Sequence, residues 1–118
     1  MTGDQALREL LDVSEDVVAA VIFGGDGEPV AASADGETAV RAAGIASAML
    51  AYADALRTTG DATRLEARTP DGSVFVVRDG DRAAVAVTTP DPVSGLVLHD
   101  LRTVLRQTRS RAKEKTGA

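Results

Sequence analysis

The stretch AAGIASAMLAYA, residues 42–53, carries no charged side chain over roughly three helical turns. Its composition favours an α-helix, and a helix on the surface of a small domain ordinarily turns a charged face to water. The large apolar side chains form one stripe, which we predict to cover a sheet: Ile45, Met49, Tyr52 and Leu56. The opposite face is also poor in charge, so we expect it to contact a partner. The alternative is an alanine-rich core helix in a closely packed fold.

The segments around this helix predict an α+β domain. Apolar periodicity and turn residues indicate a helix at 4–13, strands at 17–23, 29–34, 63–69, 74–78 and 83–89, and a last helix with Asp91 as N-cap and Pro92 at its first position. The long helix is expected to end near Gly60. The order is α-β-β-α-β-β-β-α, which predicts a five-stranded, mainly antiparallel sheet flanked by helices. We expect one domain over 1–118, with a core at about 5–108 and a basic tail at 109–118.

Composition restricts the class of protein. The 118 residues include no Cys, which excludes disulfides and thiolate metal sites. We see no secretory signal near the N-terminus and no apolar run of the roughly 20 residues that a bilayer span needs. The sequence therefore predicts a soluble cytoplasmic protein with no direct membrane insertion.

Charge is distributed unevenly along the chain. The net charge of −5 combines −7 over residues 1–60 with +2 over residues 61–118, and the last helix ends in a basic run. Such a run is compatible with a nucleic-acid or anionic-membrane contact. It is more typical of a solvated helix C-terminus, where cations offset the helix dipole. Because no aromatic residues that could stack on bases are interleaved with it, we predict no nucleic-acid partner.

Residues for catalysis or cofactor binding are scarce. His99 is the only histidine, and we predict that it occupies a polar position beside the apolar stripe of the last helix. The glycine-rich segment 24–27 is followed by strand-like residues and carries an acid, so it indicates a hairpin turn and not a phosphate loop. We predict no catalytic residue, no metal site and no cofactor.

The third strand is a candidate pairing edge. Leu65 and Ala67 alternate with three charged residues: Arg64, Glu66 and Arg68. If this strand lies at a sheet edge, two copies can pair antiparallel, and opposite charges then face each other in a register centred on Leu65 or on Ala67. A register centred on Glu66 would oppose two carboxylates. The same alternation also fits an unpaired, solvated edge, and the sequence leaves both interpretations open.

Five segments in this order carry a family resemblance: VAAVIF at 18–23, DGEPVAAS at 26–33, the alanine-rich helix at 39–56, SVFVV at 73–77 and AAVAV at 83–87. Over residues 5–108 the chain resembles the roadblock family, which includes dynein light chains and the MglB-like proteins of bacteria. The resemblance implies a roadblock/profilin-like α/β/α sandwich, with the long helix on one face of the sheet and two terminal helices on the other.

The resemblance also implies a function. Members are non-enzymatic dimeric regulators or scaffolds, and bacterial ones bind small Ras-like GTPases. It implies a homodimer through the third strand, residues 64–68, and through small residues of the long helix: Gly44, Ala48 and Ala51. It implies a GTPase surface on the same helix: Val40, Ala43, Ser47, Leu50 and Asp54. An effect on GTP hydrolysis and further signalling partners are left open. A different class, a small-ligand sensor of the PAS or profilin-like kind, would need a roomy internal pocket.

Overall fold

The computed structural model describes residues 3–33, 35–56 and 63–117. The predicted element order is confirmed. The helices are α1 (Gly3–Val13), α2 (Gly36–Leu56) and α3 (Ser94–Gly117). The strands are β1 (Val17–Gly24), β2 (Pro29–Ala32), β3 (Arg64–Thr69), β4 (Gly72–Asp79) and β5 (Arg82–Thr88). The expected helix end near Gly60 lies outside the described residues.

The five strands form one sheet in the order β2-β1-β5-β4-β3, and every neighbouring pair is antiparallel. The apolar strands β1 and β5 therefore lie inside the sheet, where both of their faces are covered. β3, the strand with alternating charges, lies at one edge, and the short β2 lies at the other. The condition for pairing through β3, a position at the edge of the sheet, is thus met.

Two apolar layers hold the helices to the sheet. Alternate strand residues point to opposite faces, so Phe75 and Val77 lie in the layer with α1 and α3, whereas Val76 lies in the layer with α2. The layer under α2 is completed by Val85 of β5 and by Phe23 of β1. One long helix covers one face and two terminal helices cover the other, as the α/β/α sandwich requires.

The predicted orientation of α2 is wrong. The residues that face the sheet are Ala39, Ala43, Ala46 and Leu50. Ile45, Tyr52 and Leu56, which we expected in the core, are 52%, 73% and 72% exposed. The sheet already supplies large side chains to this layer, so small alanines let the helix lie close to it. Helical periodicity separates the two faces of a helix but does not say which of them is inward.

By length and composition alone, α2 is the one helix in the described part of the chain that could cross a membrane. Core helices reach the same length and hydropathy. Here α2 packs on the sheet through its alanine face, and its outer face is apolar as well. That outer face is the feature that requires a functional explanation.

The start of α3 also differs from the prediction. The helix begins at Ser94, whereas Asp91 takes a left-handed conformation with φ of 59°. The first helical carbonyl belongs to Val93, which accepts hydrogen bonds from the N–H groups of Leu96 and Val97 at 3.1 and 3.2 Å. Asp91 is therefore a turn residue, and the turn it forms directs α3 across the sheet.

Asp35 caps the N-terminus of α2. Its Oδ1 accepts the backbone N–H of Thr38 at 2.9 Å, and its Oδ2 accepts the Thr38 hydroxyl at 3.0 Å. The hydrogen bond from the Thr38 backbone, followed by the one from its side chain, lowers the pKa of the Asp35 carboxyl. A carboxylate at this position also interacts favourably with the helix dipole.

We expect the Asp35 cap to stabilise the fold in a pH-dependent way. Because the folded-state pKa is lowered, the contribution is present above the unfolded pKa of about 3.9 and is lost as the pH falls through the folded value. Asp35→Asn should retain the cap but lose the ionisation-linked part of the pH dependence. Thermal unfolding of both proteins from neutral to acidic pH measures this. If the melting temperatures of the two proteins change with pH by the same amount across that range, the assignment is contradicted.

Candidate interaction surface

The outer face of α2 divides into two flanks around a crest of small residues. We call the side toward β3 the groove flank; its large residues are Ile45, Met49, Tyr52 and Leu56. We call the side toward the β1–β2 hairpin the hairpin flank; its outer residues are Val40, Ser47, Ala51 and Asp54. Gly44, on the crest, has open space where a Cβ would stand.

An apolar groove of about 550 Å³ runs between the groove flank and β3. Its lining residues include Ile45, Ala48, Tyr52, Leu56 and Leu65. Ile45, Tyr52 and Leu56 are each more than half exposed, because no described residue covers them, whereas Leu65 is half-buried. Contiguous exposed apolar surface of this kind marks an interaction site. Sequence reasoning missed the large members, which it had assigned to the core, because no local signal marks the alanine face of α2 as the inward one.

The edge of β3 beside this groove is open. The N–H of Arg78 in β4 donates to the carbonyl of Thr63 at 2.8 Å, and Arg64 is the Cα partner of Val77. Hydrogen-bonded and non-hydrogen-bonded pairs alternate in an antiparallel ladder. The backbone groups of Arg64, Glu66 and Arg68 therefore point away from β4, toward the open edge. An exposed edge of this kind is a template for pairing with another strand.

A polar network occupies the opposite side of β3. The Arg68 Nε donates to Glu66 Oε2 at 2.5 Å, and the Ser94 hydroxyl donates to the same oxygen at 3.2 Å. Arg68 Nη2 also donates to Ser94 Oγ and, at 3.4 Å, to the carbonyl of Pro92. The pKa of the Glu66 carboxyl is lowered, mainly by the hydrogen bond from Arg68 and to a smaller extent by the one from Ser94. Both side chains are thus held against the start of α3.

The hairpin flank borders a second, more polar cleft of about 260 Å³. At its floor, Asp54 accepts two hydrogen bonds from the Arg78 guanidinium, at 2.6 and 2.9 Å. The two side chains are 30% and 19% exposed. Gly27, in the β1–β2 turn, has a positive φ of 83°, and a Cβ there would stand 3.1 Å from Ser47 Oγ. The hairpin therefore lies close against α2 and forms a rigid wall of this cleft.

The structure distributes the predicted site residues between these surfaces. Of the predicted dimer residues, Ala48 lies in the groove with Leu65 and Glu66, whereas Gly44 and Ala51 are exposed on the outer surface of α2. Of the predicted GTPase surface, Val40, Ser47 and Asp54 share the hairpin flank.

Two residues of the predicted GTPase surface are wrongly assigned. Ala43 and Leu50 are 0% and 4% exposed, and both belong to the layer under α2. The rotation of α2 that exposes its large apolar stripe turns these two side chains toward the sheet. Ala43 offers no surface to a partner, and Leu50 contributes only a small part of the wall of the polar cleft.

The described residues hold no group of three or more His, Asp or Glu side chains placed to bind a metal ion. His99 is exposed on α3, where its carbonyl accepts the Thr103 hydroxyl at 2.9 Å. The surface formed by α2 and β3 combines apolar area, an open backbone edge and a few fixed ion pairs. These are the features of a surface that contacts another protein chain.

The structure is thus an α/β/α sandwich whose open edge strand lies beside an apolar helix flank. The model of the Roadblock/LC7 domain matches residues 3–89, so the chain belongs to the Roadblock/LC7 domain family. This family consists of regulators and scaffolds, and its members are generally non-catalytic. No sequence match is found among curated proteins.

Three of the solved structures that share the fold illustrate the likeness. A Roadblock/LC7 domain from Streptomyces avermitilis superposes with a TM-score of 0.86 at 13% identity, over 96% of this chain and 99% of that one. Myxococcus xanthus MglB gives 0.77 at 10% identity, over 94% and 95%. Acanthamoeba castellanii profilin IB gives 0.61 at 16% identity, over 92% and 98%. The predicted roadblock/profilin-like fold is confirmed, and at these identities the likeness concerns the fold alone.

Proposed function

We propose that this protein is a homodimeric, non-catalytic regulator or scaffold that binds a small Ras-like GTPase in the cytoplasm. The observation that carries the proposal is the apolar groove beside the open edge of β3, on a helix with no charge from residue 42 to residue 53. Membership in the Roadblock/LC7 family supports it.

A second copy of the chain is the occupant that we propose for the groove. In a two-fold dimer each copy brings the same surface, so the strand edge of one meets the strand edge of the other. Antiparallel pairing of two β3 strands extends the sheet and places the two grooves side by side on one face. Each copy then buries the exposed side chains of the other: Ile45, Tyr52 and Leu56.

The GTPase is proposed to bind the hairpin flank. This flank faces away from β3, so it stays accessible when two copies pair through β3. Val40 offers exposed apolar area, at 59%, and the Asp54–Arg78 pair offers a fixed polar contact. We assign no catalytic residue of this chain to GTP hydrolysis. Any effect on the rate would come from ordering the switch loops of the GTPase itself.

The test of GTPase binding compares two single substitutions at exposed valines. The purified protein is first used to capture partners from its source lysate, to which a GTP analogue or GDP has been added. A small GTPase recovered in this way is then purified and titrated against the unsubstituted protein and each variant. Val40→Glu should weaken binding about tenfold or more, because it puts a carboxylate into an apolar contact. Val13→Glu, at a 77% exposed site on α1, should leave binding unchanged.

Two results would contradict this assignment. Equal affinity of the Val40→Glu and unsubstituted proteins would remove the hairpin flank as the docking site. Capture that recovers no small GTPase in either nucleotide state would remove the GTPase as the partner. Sedimentation of each variant confirms that the dimer itself is unchanged.

A further inference from the structure

We infer that the two β3 strands of the dimer pair in the register centred on Leu65, with Arg64 of each copy bound to Glu66 of the other. This inference rests on the proposed dimer and specifies its interface. It follows from the backbone parity of the edge, from the ion pair already formed by Glu66, and from the position of Arg64.

The alternating direction of the backbone N–H and C=O groups along β3 decides which residues can pair across the two-fold axis. Only Arg64, Glu66 and Arg68 direct their backbone groups toward the open edge, so these residues must form the hydrogen-bonded pairs between copies. Registers centred on Leu65, Glu66 or Ala67 all satisfy this condition. Registers centred on Arg64 or Arg68 satisfy it too, but they set two guanidinium groups directly opposite each other, so three registers remain for side-chain charge to separate.

Charge removes the middle register. A pairing centred on Glu66 sets two carboxylates directly opposite each other, which is destabilising in a sheet. In the register centred on Leu65, each Arg64 faces the partner's Glu66. In the register centred on Ala67, each Glu66 faces the partner's Arg68, and each Arg64 faces the partner's Pro70.

The network around Glu66 separates the two remaining registers. Arg68 already binds Glu66, Ser94 and the Pro92 carbonyl within its own chain. A second carboxylate opposite Arg68 would compete with these contacts. Arg64, in contrast, is exposed and forms no ion pair within the described residues. The register centred on Leu65 gives Arg64 a carboxylate and keeps the intrachain network, whereas the register centred on Ala67 leaves Arg64 opposite a proline.

The apolar face supports the same register. Leu65 packs against the layer under α2 and lines the groove. With Leu65 on the axis, the two leucines meet at a close, non-hydrogen-bonded pair. The two grooves then join through a continuous apolar contact. With Ala67 on the axis, Leu65 would instead face the partner's Thr69.

Single cysteines test the register directly, because the chain contains no cysteine. In the Leu65 register the two Cα atoms of residue 65 lie about 4.5 Å apart, within the range of a disulfide. The two Cα atoms of residue 67 are then offset along the strands by about 13 Å. Leu65→Cys should therefore form a covalent dimer on mild oxidation, visible on a non-reducing gel, and Ala67→Cys should not.

The outcomes separate the register from the dimer itself. A covalent dimer of Ala67→Cys without one of Leu65→Cys would overturn the Leu65 register and establish the other. A dimer by sedimentation with no covalent product from either variant would overturn the Leu65 register, since a register centred on Glu66 places neither pair of cysteines opposite each other. Monomers of the unsubstituted protein at all concentrations would overturn the proposed dimer, and the register with it.

A charge reversal checks the cross-strand pair independently. Arg64→Glu should weaken the dimer about tenfold at low ionic strength, because two attractive pairs become repulsive, and salt should reduce the difference. Arg8→Glu, an exposed reversal on α1, is the matched control. An unchanged dimer affinity for Arg64→Glu at low salt would overturn the Arg64–Glu66 pair, since the Ala67 register places no charge opposite Arg64.

Discussion

Replacing Ile45 with glutamate is expected to convert the proposed dimer into monomers. Ile45 is 52% exposed and lines the apolar groove, so a second copy would bury its side chain. A carboxylate buried there without a partner costs about 3–5 kcal/mol. Since each 1.4 kcal/mol is a factor of ten, we expect the dissociation constant to rise at least about 100-fold. Sedimentation velocity over a dilution series measures the change.

The matched control is Val40→Glu, which places the same charge on the same helix at a similarly exposed valine of the hairpin flank. This variant should retain the dimer and lose affinity for the GTPase, whereas Ile45→Glu should lose the dimer. Circular dichroism should show a folded domain for both, because neither side chain is part of the core. A dimer of normal affinity with glutamate at position 45 would show that the groove is not the interface.

Leu50→Glu is expected to unfold the domain. Leu50 is 4% exposed and packs in the layer under α2 with Val76 and Val85. A carboxylate there loses much of its water, and the Arg78 guanidinium, which lines the neighbouring cleft with Leu50, is already bound to Asp54, so the cost is several kcal/mol. Domains of this size have only about 5–15 kcal/mol of stability in total. Denaturant unfolding followed by far-ultraviolet circular dichroism should show a much lower denaturant concentration at the unfolding midpoint, or no folded baseline at all.

Ala51→Glu provides the comparison for Leu50→Glu, because Ala51 is the next residue of α2 and is exposed on the hairpin flank. It should keep the fold. Burial would raise the pKa of a glutamate at position 50, so stability lost at neutral pH should return in part as the pH falls and the carboxyl becomes neutral. A folded Leu50→Glu protein with an unchanged midpoint would contradict the inward orientation of this face of α2.

The two flanks of α2 explain why the helix carries so little charge. The alanine face is buried against the sheet, and the groove flank is proposed to be buried against a second copy. The hairpin flank is proposed to meet the GTPase. A single helix with three faces in contact leaves little surface for the charged residues that a solvated helix would show. The charges at its two ends, including Glu37, Arg41 and Asp54, lie outside residues 42–53.

Much of the fold was predictable because its signals are local. The apolar run at 17–23, the turn glycines and the charge alternation of β3 identify strands by period and composition. The start of α3 was not predictable in this way. Asp91 and Pro92 match a helix N-terminus in sequence, but the left-handed turn at Asp91 moves the helix start to Ser94. Such a turn depends on where the chain must go next, which no short window of sequence contains.

The site was predictable as a location and not as a set of side chains. The sequence by itself identified α2 and β3 as the candidate contact elements, because charge is absent from one and alternates on the other. Only the tertiary structure decided which face of α2 is inward. The large side chains of Phe23, Val76 and Val85 fill the layer beneath the helix, so its alanines approach the sheet and its large apolar residues remain outside. Periodicity gives the angle between two faces of a helix, whereas the volume available against the sheet decides which one is buried.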